Sequence, residues 1–366
     1  MKMNVHLRDR RPGVQWLVPL TPKALAGGQF WYRVAVPADV VGGSVTAHLL
    51  VAEGKTRGPE RRIDVADGAG LAGLADVRTL TLFELGSVVI LPLALYMPVA
   101  PVLVALIDGL REAGASVWLD LDDDRLHMQG LVPWAHAAFG GFPGYDRRQV
   151  QRTFAQADQF TRRCARAATG IIAATPALAA VARRYNNNVV VLRNMVDRAA
   201  FAAPRRRPVT SRRPLCLGYA GAGLSHHDDL DLASPGLVAS ARTSGAALHF
   251  WGTHPGNRLQ HESGVSTVAG TPTVYTFHGY IPDFPTYQNE IGRLDVAVAP
   301  LRDIPINRAR SATSWLEHGY HGTAMVVSDL EPYAVVEHGV TGFKARTPED
   351  FAHYLRLLVD LSLIHI

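Results

Sequence analysis

One stretch limits the possible folds more than any other: 295-DVAVAPLRDIPINRARSATSWLEHGYHGTAMVVSD-329. It reads as a buried strand, a short polar loop, a helix and a second buried strand. Asp295–Pro300 alternates Val with Ala and stops at a proline. Asn307 is placed to cap a helix running to about Tyr320, which Gly319 and Gly322 end; Thr323–Val327 is strand-like again. Two apolar strands joined by a helix form the unit of a buried parallel sheet. The first turn of such a helix has unpaired backbone N–H groups and suits a phosphate. Helical spacing puts Arg310, Ser314 and Glu317 on one side and Ala309, Ala312, Leu316 and Tyr320 on another. One side packs while the other offers a cation and a carboxylate to a ligand.

The same alternation runs through the chain. Strand candidates are Gln15–Val18, Val45–Val51, Ser87–Leu91 and Ser116–Leu121, with shorter runs at Gly170–Ala174 and Val189–Leu192. Helix candidates are Pro98–Ala113, Gln149–Ala168 and Pro176–Tyr185. Pro204–Pro214 carries five arginines between prolines and reads as a linker. A second series follows, with strands at Leu215–Tyr219, Ala247–Trp251, Asp295–Pro300, Thr323–Val327 and Gly342–Lys344. Its last helix opens at Thr347-Pro348-Glu349-Asp350, a capping box with proline at the first helical position. The expected fold class is α/β, with two Rossmann-like domains facing across a cleft. Residues 1–203 form the first, 204–214 the linker and 215–360 the second. Ligands of such sheets bind beyond the carboxyl ends of the strands. The tail 361-LSLIHI-366 resembles translated adapter read-through of metagenomic assemblies, which implies a truncated C-terminus.

Composition excludes some classes. With 366 residues, 48% apolar and 19% charged, the chain has material for a large core and is not a disordered one. The net charge of +5 is concentrated in Arg8, Arg10, Arg11, Arg205–Arg207, Arg212 and Arg213. No aromatics interleave with these arginines, so they read as solvated segments rather than a nucleic-acid surface; peripheral contact with an anionic membrane stays open. Leu85–Ile107 is uncharged and long enough to span a bilayer, but Pro92, Pro98 and Pro101 argue for a strand and helix instead. The only cysteines, Cys164 and Cys216, make no metal motif and suit a reducing cytoplasm.

Two polar clusters carry the candidate chemistry. The first is 215-LCLGYAGAGLSHHDDL-230, where Gly221 and Gly223 follow a strand and Ser225, His226 and Asp229 line the same turn. A dinucleotide fingerprint would need a third glycine at His226 and an acid some twenty residues on, and both are absent. A turn in which Ser225 or Asp229 merely satisfies helix amides remains the alternative. The second is 116-SVWLDLDDDRLHM-128, a strand delivering Asp120, Asp122 and Asp123 to its carboxyl end. These carboxylates suit acceptor orientation or charge stabilisation. Metal chelation and simple helix capping are the competing readings. His136 and 139-FGGFPGY-145 suit a lid or an ordinary long loop.

The order of motifs resembles the retaining glycosyltransferases of family 4, which have the GT-B fold. The residues carrying the likeness are Gly218, Tyr219, Gly221, His226, Asp229 and Leu230; Leu294–Leu301 and Asp303; Asn307, Arg310, Ser311, Leu316 and Glu317; Val326–Asp329, Pro332 and Tyr333; and Gly339, Thr341, Gly342 and Phe343. Further matches are 175-TPALAAVARRYNNNVVVLRNMVD-197 and 28-GQFWYRVAVPADVV-41. The resemblance implies transfer from a nucleotide-diphosphate sugar to a glycan, lipid or protein acceptor, without a metal or other cofactor. Glu317 matches the carboxylate that binds the ribose hydroxyls. Arg310 and Ser311 match groups near the diphosphate, and Asn307 shapes that turn. Asp122 aligns where the family often has histidine. One departure stands out: many members carry a second glutamate eight residues before Glu317, where this chain has Ala309. A non-catalytic sugar-nucleotide or glycan-binding protein on the same fold is the alternative.

Overall fold

The computed structural model describes residues 4–19, 33–34, 44–48, 79–93, 100–133, 146–194, 196, 214–221, 229–252, 264–268 and 271–360. The remaining tail, the arginine-rich 204–213 stretch, His136 and the 139–145 loop lie outside the described residues. The chain divides into two compact units. Unit 1 takes residues from 1–129, 151–195 and 309–311; unit 2 takes those from 130–150, 196–308 and 312–366.

Unit 1 is built on β1 (Asn4–Pro19), β2 (Ser44–His48), β3 (Thr79–Pro92), β4 (Ser116–Leu121), β5 (Gly170–Ala173) and β6 (Val189–Val191). Its helices are α1 (Ala100–Glu112), α2 (Arg147–Ala167) and α3 (Pro176–Ala182). The strands form one sheet in the order β2-β1-β3-β4-β5-β6, every pair parallel. Parallel neighbours need crossovers, and the helices that supply them cover the sheet. The interior strands are therefore apolar on both faces: Val117, Leu119 and Leu121 of β4 pack with Leu103, Leu106 and Leu110 of α1. Thr175 caps α3, its Oγ1 accepting from Leu178 N at 3.1 Å, with Pro176 in the first turn.

Unit 2 contains β7 (Cys216–Gly221), α4 (Ser234–Ser244), β8 (Ala247–Gly252), β9 (Gly264–Val268), β10 (Thr271–Phe277), α5 (Phe284–Ile291) and β11 (Val296–Ala299). It continues with α6 (Pro305–Arg308), α7 (Thr313–Tyr320), β12 (Ala324–Ser328), β13 (Phe343–Ala345) and α8 (Pro348–Asp360). The sheet order is β13-β12-β11-β7-β8-β10-β9, parallel except for the β9–β10 hairpin at one edge. The Val/Ala alternation of β11 separates two cores. Val296 and Val298 face Leu237, Phe351 and Leu355, whereas Ala297 and Ala299 face Trp251, Ile291, Met325 and Tyr333. Gly218 is needed where β7 meets β8, because a Cβ there would fall 2.1 Å from the His249 carbonyl oxygen. Gly236 lets α4 touch α8 backbone to backbone; its Cβ would stand 2.8 Å from Ala352 Cα.

The capping box at the start of α8 forms as the sequence predicts. Thr347 Oγ1 accepts from Asp350 N at 3.2 Å, and Asp350 Oδ2 accepts from Thr347 N at 3.1 Å. The single helix expected from Asn307 to Tyr320 does not form. It is two helices, α6 and α7, with residues 309–312 non-helical between them. The Ala309 carbonyl, which would accept an amide in a continuous helix, accepts the Thr175 hydroxyl at 2.8 Å, and Ser311 Oγ accepts from Asn194 Nδ2 at 2.9 Å. The Thr175 hydroxyl, distant in sequence, thus competes successfully with the helical ladder for the Ala309 carbonyl.

Candidate functional site

In unit 1 the polar residues gather at the carboxyl end of β4. Asp120, still within the strand, is 3% exposed and is taken up by Arg33. The guanidinium grips both carboxylate oxygens, with Nε donating at 2.9 Å and Nη2 to the other oxygen. Arg33 also donates to the Leu192 carbonyl and, at 3.2 Å, to Asn194 Oδ1, while its own carbonyl accepts from Trp16 Nε1 at 3.0 Å. Burial pushes the Asp120 carboxyl above the usual carboxylate range, and the guanidinium opposes that shift. Burial likewise weakens the guanidinium's hold on its proton, and Asp120 more than restores it. Such a two-pronged, fully hydrogen-bonded pair is the arrangement in which buried charges survive.

Asp122 and Asp123 follow, both partly exposed. Burial pushes the Asp122 carboxyl up to about 6, with Asp123 adding to the rise and Arg125 opposing it. Asp122 therefore exchanges its proton close to neutrality, which ordinary carboxylates do not do. Asp124 is buried and accepts from Leu126 N at 3.0 Å, closing the turn. Asp158 of α2 accepts from Met128 N and, at 3.2 Å, from Gln129 N. Asp158 thus takes up the backbone amides that follow this turn.

In unit 2 the structure holds Gly221, Asp229, Asn307 and Glu317; Gly223, Ser225 and His226 lie outside the described residues. Gly221 has a structural reason to be glycine: a Cβ would stand 2.3 Å from the Tyr219 hydroxyl oxygen. Asp229 does not line an open turn. It is 1% exposed, and its Oδ1 accepts from Arg302 N at 2.7 Å and Asn307 Nδ2 at 2.9 Å. Asn307 also donates to the Arg302 carbonyl at 3.0 Å. Asn307 sits inside α6 and is not a helix cap; its side chain ties the loop after β11 to the start of α4's turn. Its buried Oδ1 accepts no hydrogen bond from a described residue.

Arg310 and Ser311 are partly exposed and stand on neither helix, so the expected shared face of Arg310, Ser314 and Glu317 is not present. Both count with unit 1, as does Ala309, whose methyl is 1% exposed in the unit 1 core. A carboxylate at 309 would lose its water there, which accounts for the alanine. The uncapped helix start moves to α7: Ala312 makes no side-chain cap, so the first-turn amides begin at Thr313.

Glu317 lies on α7, 6% exposed, with Oε2 accepting from the Tyr287 hydroxyl at 3.2 Å. Burial, reinforced by the neighbouring Glu317 charge, pushes Tyr287 well above the usual phenol range, so it stays a donor. Gln288 of the same helix meets His321 at 3.0 Å. Sequence reasoning missed α5 and therefore Tyr287. The signal was present: Asp283 caps α5, accepting from Thr286 N at 3.0 Å with Pro285 in the first turn, the pattern that located α8. Beside Glu317, His318 is wholly buried and neither ring nitrogen has a partner among the described residues. Burial pushes its pKa down to about 3.

Among the described residues no three His, Cys, Asp or Glu side chains group as a metal site, and no helix is long and apolar enough to cross a membrane. No protein-family model matches the chain, and no curated protein matches it. Among solved structures it is similar to HepE from Anabaena in complex with UDP-glucose, with a TM-score of 0.53 at 13% identity, covering 95% of this chain and 91% of that one. It is also similar to a glycosyltransferase from Rickettsia africae, with a TM-score of 0.50 at 11% identity, covering 99% and 91%. Against TarM from S. aureus the TM-score is 0.46 at 12% identity, and this chain spans 49% of that one. The two parallel-sheet units carry the GT-B glycosyltransferase fold.

Proposed function

We propose that the chain is a retaining glycosyltransferase of the family 4 type, moving a sugar from a nucleotide diphosphate to a hydroxyl acceptor. The observation that carries this reading is Glu317: a buried carboxylate on α7, held by Tyr287 and one turn from the start of that helix. A carboxylate fixed in this way suits a ribose diol, and first-turn amides suit a diphosphate. HepE, whose fold this chain shares, was crystallised with UDP-glucose, which favours a UDP-sugar donor.

On this reading Glu317 takes the ribose hydroxyls, and Asp229 with Asn307 fixes the loop after β11. The α7 amides, with Arg310 and Ser311, offset the charge that grows on the leaving diphosphate. Gly221, Gly223, Ser225 and His226 complete the donor turn. Asp122, with Asp123 beside it, orients the acceptor hydroxyl and stabilises positive character at the sugar carbon. The diphosphate receives the acceptor's proton, and no metal takes part.

A thermal-shift screen of nucleotide sugars tests the donor reading, because a ligand at about 100 times its Kd stabilises the fold by about 2.7 kcal/mol. The expected result is stabilisation by at least one nucleotide sugar, lost in Glu317→Ala, and transfer of label from that donor. Stabilisation that survives Glu317→Ala unchanged would refute this placement of the donor.

A further inference from the structure

We propose that Asp124, His127 and Tyr185 form a second reactive centre in unit 1, a base-assisted phenol that accepts a glycosyl group from a nucleotide-diphosphate sugar. The donor class rests on the function proposed above; the centre itself rests on geometry. Asp124 is 2% exposed, and its two carboxylate oxygens lie 3.2 and 3.0 Å from His127 Nδ1. A carboxylate accepts, so Nδ1 carries the imidazole proton and Nε2 presents its lone pair. The Tyr185 hydroxyl is 3.2 Å from Nε2 and donates to it. This is the order orienting acid, base and nucleophile that activated nucleophiles share.

The surroundings favour an anionic donor. The guanidinium carbons of Arg162 and Arg166 lie 5.6 and 5.4 Å from the centre of the Tyr185 ring. Arg162 is fixed there by the Leu126 carbonyl at 2.9 Å and by Asp158 at 3.6 Å. Arg166 is exposed, and the His127 side chain is 34% exposed, so the pair of cations is open to a phosphate-bearing ligand. None of these residues serves the reaction proposed for Asp122 and Glu317.

The step balances. A bond forms from Tyr185 Oη to the anomeric carbon, the bond from that carbon to the diphosphate oxygen breaks, and the nucleoside diphosphate leaves with the electron pair. The phenol proton passes to His127 Nε2, and Asp124 stabilises the resulting imidazolium until it returns the proton to water.

The full chain is incubated with UDP-glucose and with each nucleotide sugar that stabilises it, then measured by intact and peptide mass spectrometry. The expected product carries one sugar residue on Tyr185. It is absent in Tyr185→Phe, which keeps the ring, and forms about 100-fold more slowly in His127→Gln, the usual scale for loss of a general base. N-acetylimidazole gives a readout independent of any sugar: Tyr185 acetylates faster than the other tyrosines, and His127→Gln removes the advantage. Release of nucleoside diphosphate with Tyr185 unmodified overturns this inference and leaves the glycosyltransferase reading intact. Equal acetylation of Tyr185 in wild type and His127→Gln overturns the base-assisted phenol itself. If no nucleotide sugar stabilises the protein, the glycosyl donor falls with the function proposed above, and the acetylation result alone decides the base-assisted phenol.

Discussion

Unit 1 and unit 2 each set polar side chains at the carboxyl ends of a parallel sheet, but they satisfy them differently. Unit 1 buries opposite charges against one another, Arg33 with Asp120; two residues on, burial and the Asp123 charge beside it raise the proton affinity of Asp122. In unit 2 two buried carboxylates accept from neutral donors: Asp229 from an asparagine amide and a backbone N–H, Glu317 from a phenol. Burial of Asp122 makes a site whose protonation changes near neutral pH. Neutral donors make a site that holds a carboxylate by hydrogen bonds alone. The first suits proton handling and the second suits holding a ligand, the division of labour proposed between acceptor side and donor side.

The strongest way to break that contrast is Arg33→Met. It strands a buried carboxylate and is expected to lower the unfolding free energy by about 3–5 kcal/mol in urea titrations. Adding Asp120→Leu should recover most of the loss, since no charge is then left unpaired. If Arg33→Met alone costs less than about 1 kcal/mol, buried charge does not organise unit 1.

Asp122→Asn sharpens the contrast. Glycosyl transfer should fall about 100-fold, and the wild-type rate should climb through about pH 6 as the carboxylate forms. Stability moves the other way. Folded Asp122 binds its proton more tightly than the unfolded chain does, so its contribution is full at low pH and declines as pH rises toward about 6. The asparagine variant should therefore unfold at a higher temperature than wild type at pH 8, and a lower one would contradict the raised proton affinity.

His318→Leu probes the neutral side of the comparison. Removing an unpartnered buried imidazole should stabilise the protein by about 1–3 kcal/mol at pH 7.5. Only the neutral ring fits the folded site, where its pKa is about 3 against 6.5 in the open chain. Wild type should lose stability as pH falls from about 6.5 toward 3, because the unfolded chain binds the extra proton. In the leucine variant that part of the acid dependence should vanish; an unchanged acid limb would assign it to other groups.

The smallest expected effect belongs to Tyr287→Phe. It removes one hydrogen bond to Glu317, worth about 1 kcal/mol or a five-fold loss of donor affinity. Rate at saturating donor should hold steady. A large loss of turnover with unchanged affinity would move Tyr287 from holding the donor to the chemistry.

Local features were legible in the sequence because local physics decides them. The Val/Ala alternation of β11, the run Ser116–Leu121 and the box at Thr347–Asp350 appear where periodicity and capping place them. The β9–β10 hairpin was missed, since its pairing depends on register rather than on a strong apolar run. The break between α6 and α7 was unreadable for another reason: Thr175, which takes the Ala309 carbonyl from the helical ladder, and Asn194, which holds the Ser311 side chain, lie far away in the chain. Arg33 was likewise quoted only within a family-like loop, because nothing near it shows that Asp120 waits at the end of β4. Asp229 and Asn307, each expected as a donor ligand, are hydrogen-bonded to one another, a pairing that residues so far apart in the chain do not announce.

The contact of Gly236 with Ala352 orders events in the life of the molecule. α4 is among the first pieces of unit 2 to be synthesised, and α8 is among the last described. Until α8 emerges, Leu237 and the valines of β11 lack Phe351 and Leu355, the side chains that seal them from water. A nascent chain must carry that oily face unshielded until the end of unit 2 is made, which makes this surface the natural landing place for a chaperone and the first to stick when synthesis stalls.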